Sequence, residues 1–208
     1  DPTTCSFPAD DGSDGSAGAG DGCLEAFGFD CSSTGPIADP TRANVGSSPA
    51  TVAEWISGYV DDGRSPTYLA IDNEPERWGI HHYDVHPTCS DYVEIFGTYV
   101  AYAGALRGVA PDALLAGPVM CCWFDYLDPP GPDESSDEDL LSWFLGRLGD
   151  RRDAGDDPLI DVVDVHFRPQ ADVVNSRDDA DIARLRIEST RELWDPTFGG
   201  VGLDGTAI

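Results

Sequence analysis

The sequence predicts an α/β fold built on parallel strands. Three apolar runs of strand length, Tyr68 to Asp72, Ala113 to Val119 and Ile160 to Phe167, alternate with longer segments whose apolar residues recur at helical spacing. The order is helix, strand, helix, strand, helix, strand, helix. Each pair of successive strands is thus separated by a crossover long enough for a helix, and such crossovers join parallel strands with a right-handed turn. A chain of 208 residues, 40% hydrophobic, is long enough for one core but short for a closed eight-stranded barrel.

Residues 1 to 47 hold no convincing helix or strand. Asp10-Asp11-Gly12-Ser13-Asp14-Gly15 has the composition of a calcium loop, the one structural calcium candidate, but lacks its alternating spacing and distal Glu, and reads as solvated linker. Cysteines at 5, 23, 31, 89, 121 and 122 match no zinc-ribbon spacing. Cys5, Cys23 and Cys31 bracket the Gly- and Asp-rich loop, where a disulfide would restrict the chain, and Cys5 with Cys31 is the first choice of pair.

Ser48 and Pro49 open the first helix as N-cap and N1. Val52, Trp55, Ile56, Tyr59 and Val60 share one helical face, which assigns Trp55 to the core. After the breaker Asp61 to Pro66, the strand from Tyr68 runs into Asn73-Glu74-Pro75 and a loop with Trp78 and three of the four histidines, His81, His82 and His86. Pro75 cannot continue a ladder, so Glu74 closes the strand. The next helix starts near Ser90 or Asp91, carries Tyr92, Ile95, Phe96, Tyr99, Val100, Ala103 and Leu106 at helical spacing, and ends before Pro111. That period explains its aromatics as packing. The strand Ala113 to Val119 leads into Met120-Cys121-Cys122-Trp123-Phe124. An acidic, Pro-rich loop follows, capped by Ser135 or Ser136 into a helix with Leu140, Leu141, Phe144, Leu145 and Leu148 inward and Trp143 at the edge of the stripe. Asp178 caps a last helix that runs to about Leu193.

The net charge of -27 arises from 39 acidic residues against 12 Arg and no Lys. Such a field repels nucleic acid and anionic lipid, so neither is a partner, and no run reaches the length of a membrane span. The charge is spread over every segment, as on a solvated acidic surface suited to high salt.

The strand ends carry the chemically informative residues: Asn73 and Glu74, then Trp123, then His166. In a parallel α/β fold these ends share one face, where chemistry sits. His82 and His86 are four apart, but the intervening loop and the lack of a completing Cys or Glu favour structural or substrate-contacting histidines over zinc ligands.

Glu74 to Pro87, with Asn73-Glu74-Pro75, Trp78 and Asp84-Val85-His86-Pro87, resembles the segment after the fourth barrel strand of glycoside hydrolase family 44, the endoglucanases and xyloglucanases. The likeness continues in order through Cys5-Ser6-Phe7-Pro8, Gly117-Pro118-Val119 with Trp123, Asp164-Val165-His166 with Pro169-Gln170, and Leu193-Trp194-Asp195-Pro196-Thr197. It implies a (β/α)8 TIM barrel, of which this chain would be a central fragment with about strands 4 to 6. Residues 1 to 47 would be an irregular acidic loop of that barrel, and 48 to 208 its β/α units. It further implies a retaining, endo-acting β-glucan hydrolase, secreted and without a cofactor, acting on β-linked polysaccharide. Glu74 would be general acid/base, and the nucleophile Glu would lie after strand seven, outside the chain. Trp78 and Trp123 are the expected sugar platforms, since pyranose C-H faces pack on indole. Asn73 would bond a sugar hydroxyl, and His166 would bond the substrate or hold the nucleophile. Phe167-Arg168 and Met120-Cys121-Cys122 depart from the family pattern. The rival expectation is a non-catalytic carbohydrate-binding or calcium-stabilised module on the same scaffold.

Overall fold

A computed structural model describes residues 45–82, 85–86, 88–121, 139–166 and 179–198. Cys5, Cys23 and Cys31, the Asp10 to Gly15 run, Trp123, and Ser135 and Ser136 lie outside the described residues. The chain forms two compact units, residues 1–166 and 167–208.

The first unit contains α1 (Pro49–Asp61), β1 (Tyr68–Ala70), a 3-10 turn (Pro75–Arg77) running into the single turn α2 (Trp78–His81), α3 (Tyr92–Val109), β2 (Leu114–Met120), α4 (Leu140–Asp153) and β3 (Val162–Val165). The strands form one parallel sheet in the order β1-β2-β3, with Tyr68 opposite Leu114 and Ala116 opposite Val162. Parallel pairing follows from the helical crossovers, as expected. Ser48 caps α1 by accepting from Thr51 N, and Asp91 caps α3 by accepting from Glu94 N. The cap of α4 is Asp139, which accepts from Ser142 N, so this helix begins later than the Ser135 or Ser136 start expected of it. β1 also stops early, because Asp72 turns into the left-handed region at φ 64°.

The core lies between the sheet and its helices. Tyr92, Ile95, Tyr99, Ala103 and Leu106 of α3 meet Leu115 and Met120 of β2 and Leu140, Phe144 and Leu148 of α4. Phe144 packs edge-on against Phe96 and Tyr99, and Trp143 edge-on against Phe96 and tilted against Tyr92, so the α3 aromatics are packing residues. Gly117 is required by closeness alone: a Cβ there would lie 2.3 Å from Tyr99 Cε2. Trp55 is a correction, since it is 72% exposed. The buried arc of α1 runs through Val52, Ala53, Ile56 and Val60, and small Ala53 on its far flank rotates that arc away from Trp55.

At the N-terminal end of the sheet, Arg107 ties three segments together. Its guanidinium donates to Pro158 O, Ala113 O and the Asp161 carboxylate, and the same Asp161 oxygen accepts from Leu115 N at 2.9 Å. Burial works against the Asp161 charge, but the Arg107 and Leu115 hydrogen bonds outweigh it and hold the carboxyl below its ordinary range. A carboxylate depressed in the folded state contributes stability above its unfolded pKa and loses it as pH falls through the folded value. The Tm advantage of the wild type over Asp161→Asn should therefore hold above about pH 5 and shrink between about pH 5 and pH 2. A constant gap in thermal melts across that range would show that the pair contributes through packing alone. Tyr99, whose hydroxyl donates to Leu159 O at 3.0 Å, is raised well above the phenol range by burial and then by the Asp161 charge.

In the second unit, α5 (Ala180–Ser189) is followed by a 3-10 turn, Thr190–Leu193. Its N-cap is Asp179, one residue after the expected Asp178, and accepts from Asp181 N and Ile182 N. Arg191 donates through Nε and Nη2 to one oxygen of Asp195, whose other oxygen accepts from Thr197 N and Oγ1. These bonds, Thr197's first, bring the Asp195 carboxyl down to about 2.

Candidate active site

The ends of three strands make the site. β1 delivers the chain through Asp72 to Glu74, which is 8% exposed and sits in the left-handed region at φ 49°. β2 carries an irregularity between Pro118 and Met120, where Val119 has φ 58°. A β-branched residue there is a conformational outlier, costing on the order of 1–3 kcal/mol. The two strained residues are bonded to each other, Glu74 N donating to Val119 O at 2.9 Å. β3 ends at His166, whose N donates to Met120 O at 2.8 Å.

The side chains then meet. His166 Nδ1 lies 2.8 Å from Glu74 Oε1, so the histidine expected to bond substrate or hold a nucleophile is paired with Glu74. Fixing one carboxyl oxygen on an imidazole sets the side-chain rotamer, and a carboxyl so held can give and regain a proton at a reacting oxygen. Asn73 is exposed beside it, with its backbone N on Asp72 Oδ1 at 2.8 Å.

Trp78 takes a different place. It is half-buried and stands edge-on to His86, ring centroids 5.9 Å apart. Together with His82 and His86 it lines a largely apolar cavity of about 670 Å³ that reaches Tyr99, Tyr102 and Leu106 of α3; neither Glu74 nor His166 lines it. His86 binds Thr88 O through Nδ1 and Glu94 Oε1 through Nε2, at 2.7 and 2.8 Å, and so fastens the segment after α2 to α3. Gly79 permits that approach, since a Cβ would fall 2.2 Å from Thr88 O.

Sequence reasoning missed Glu76. It is fully buried and accepts from Cys121 N at 2.8 Å, although in the sequence it looks like any turn glutamate. Ser90, also fully buried, donates to Pro75 O at 2.8 Å. Among the described residues no cysteine is free, and Cys89 and Cys121, beside these two anchors, are disulfide-bonded.

Comparison with known proteins bears on what this site belongs to. Residues 4–171 match the model of glycoside hydrolase family 44. The chain belongs to that family. It is 28% identical over 140 residues to Endoglucanase A of Paenibacillus lautus, covering 62% of this chain and 20% of the relative. It is also 28% identical over 159 residues to Beta-mannanase/endoglucanase A of Caldicellulosiruptor saccharolyticus, covering 69% and 11%. Among solved structures it is similar to CelM2, a bifunctional glucanase-xylanase protein from a metagenome library, with a TM-score of 0.66 at 26% identity over 80% of this chain and 36% of that one. The chain thus spans about a third or less of the family members it matches, and its parallel sheet with flanking helices is part of a TIM-barrel-type glycosidase fold.

Proposed function

We propose that this segment supplies the general acid/base, Glu74, of a retaining, endo-acting β-glucan hydrolase. The observation that carries the reading is the placement of Glu74: at a parallel strand end, nearly buried, and hydrogen-bonded to His166 from the end of another strand. Glycoside hydrolysis with retention needs a second carboxyl about 5 to 5.5 Å from the acid. Among the described residues Glu54, Glu94 and Glu188 belong to helices, Glu192 to a 3-10 turn, and Glu76 is held on Cys121; in line with the resemblance to the family, the nucleophile comes from a further strand. The three strands are then about the fourth to sixth of the barrel, with residues 1 to 47 as one of its loops. The substrate is a β-linked polysaccharide, in line with the names of the relatives, an endoglucanase and a mannanase/endoglucanase. Asn73 bonds a sugar hydroxyl, Trp123 serves as a sugar platform, and Trp78 offers a second platform from the neighbouring cavity that it lines with Asp72 and Pro75. The reaction needs no cofactor. The disulfide-bonded Cys89 and Cys121 support secretion, since such bonds persist in oxidising compartments.

The test compares the complete gene product with the 208-residue chain. The complete protein should release reducing ends from carboxymethylcellulose or xyloglucan, with the anomeric configuration retained by NMR, while the chain alone releases none. Inversion, inactivity of the complete protein, or clear turnover by the chain alone would overturn the assignment.

A further inference from the structure

Val119 and Met120, which end β2, and Cys121 just past it hold Glu74, His166 and Glu76 in turn. Val119 O accepts from Glu74 N, Met120 O accepts from His166 N, and Cys121 N donates to Glu76 Oε1 at 2.8 Å. The first two bonds hold the pair that meets at Glu74 Oε1 and His166 Nδ1. The third holds a carboxylate with no surface exposed, its Oε1 4.0 Å from the Arg77 guanidinium Nε. Withdrawing a carboxylate from water is costly, and a plain apolar side chain would fill the same space without that penalty. An apolar side chain, however, could not accept from Cys121 N. Pro75 lies between the two glutamates with its φ locked by its ring, so a shift of the backbone at Glu76 passes to Glu74 with little slack.

We propose that Glu76 is a positioning residue: its carboxylate fastens the turn after β1 to the end of β2 and so sets where Glu74 delivers its proton. The inference rests on Glu74 being the general acid. A positioning role reaches the reaction only through Glu74, which fixes the signature to look for. Misplacing the acid slows cleavage of poor leaving groups, such as another sugar, far more than cleavage of an acidic phenol.

The experiment uses the complete gene product with Glu76→Met, of similar size but unable to accept, and Glu76→Gln, which keeps the acceptor oxygen. On polymeric β-glucan, E76M should lower kcat about tenfold or more, within the ~10²-fold that a misplacement of about 1 Å costs, with KM changed by less than about twofold. On a dinitrophenyl glycoside the glycosylation step should be nearly unaffected. E76Q should recover most of the polymer rate, and E76M should add no further loss in a Glu74→Gln background. Should E76M fail to fold, Glu76→Asp, whose shorter side chain draws the carboxylate back from Cys121 N, should show the same leaving-group dependence. Equal losses on both substrates, or additive losses with E74Q, would reduce Glu76 to a purely structural residue. If E74Q itself showed no leaving-group dependence, the role of Glu74 would fall; if E74Q showed it and the Glu76 variants did not, only the present inference would.

Discussion

Replacing Glu74 by Gln in the complete protein should lower hydrolysis of polymeric β-glucan on the order of 10²-fold or more, within the usual reach of acid/base catalysis. The variant keeps the shape of the side chain and removes the proton that a departing sugar needs. A dinitrophenyl group leaves without that help, so with an activated glycoside the first step should be nearly spared. Hydrolysis of the glycosyl-enzyme, where the same residue acts as base, then becomes limiting, and the intermediate should accumulate. Azide needs no base, so it should restore turnover and give a glycosyl azide of retained configuration. The part-buried contact with His166 Nδ1 gives the experiment a structural control, because Gln can still bond that ring nitrogen through its amide. Equal losses on both substrates with no azide rescue would show that Glu74 binds or supports and does not transfer a proton.

The largest effect on stability is expected at Phe144. Its side chain is fully buried and meets Tyr99 and Phe96 edge-on, with centroids 5.0 and 5.8 Å away. Truncation to Ala removes apolar contact and leaves a cavity in a close-packed core, at a cost of about 3–5 kcal/mol. Domains of this kind are stable by roughly 5–15 kcal/mol, so Phe144→Ala should move the urea midpoint far down or abolish the transition. Trp55→Ser is the informative contrast. Helical periodicity alone puts Trp55 on the apolar face of its helix, but it is 72% exposed, and its replacement should change stability by no more than about 0.5 kcal/mol. A Trp55 loss comparable to that of Phe144 would mean that α1 packs on a different face.

The elements of this fold are legible in the sequence because their signals are local. Ser48 caps its helix as expected, and Asp91, one of the two starts expected of α3, caps that helix, since a cap needs only a side-chain oxygen and an amide a few residues on. The parallel order of β1, β2 and β3 follows from crossovers too long for hairpins. Asn73-Glu74-Pro75, Trp78 and His86 likewise marked the family that residues 4–171 match. Depth and partnership were decided by the tertiary structure. Periodicity names the face of a helix and not how far it sinks, so Trp55 was placed inside although Ala53 turns that face elsewhere. Strand patterns do not mark where the backbone enters the left-handed region, as it does at Asp72, Glu74 and Val119. Glu74 and His166 are 92 residues apart, and Glu76 and Cys121 are 45, so no spacing in the chain encodes either bond. Glu74 and Glu76 flank one proline, and only the arrival of the end of β3 makes Glu74 the partner of a histidine, as only the segment just past β2 makes Glu76 a buried anchor.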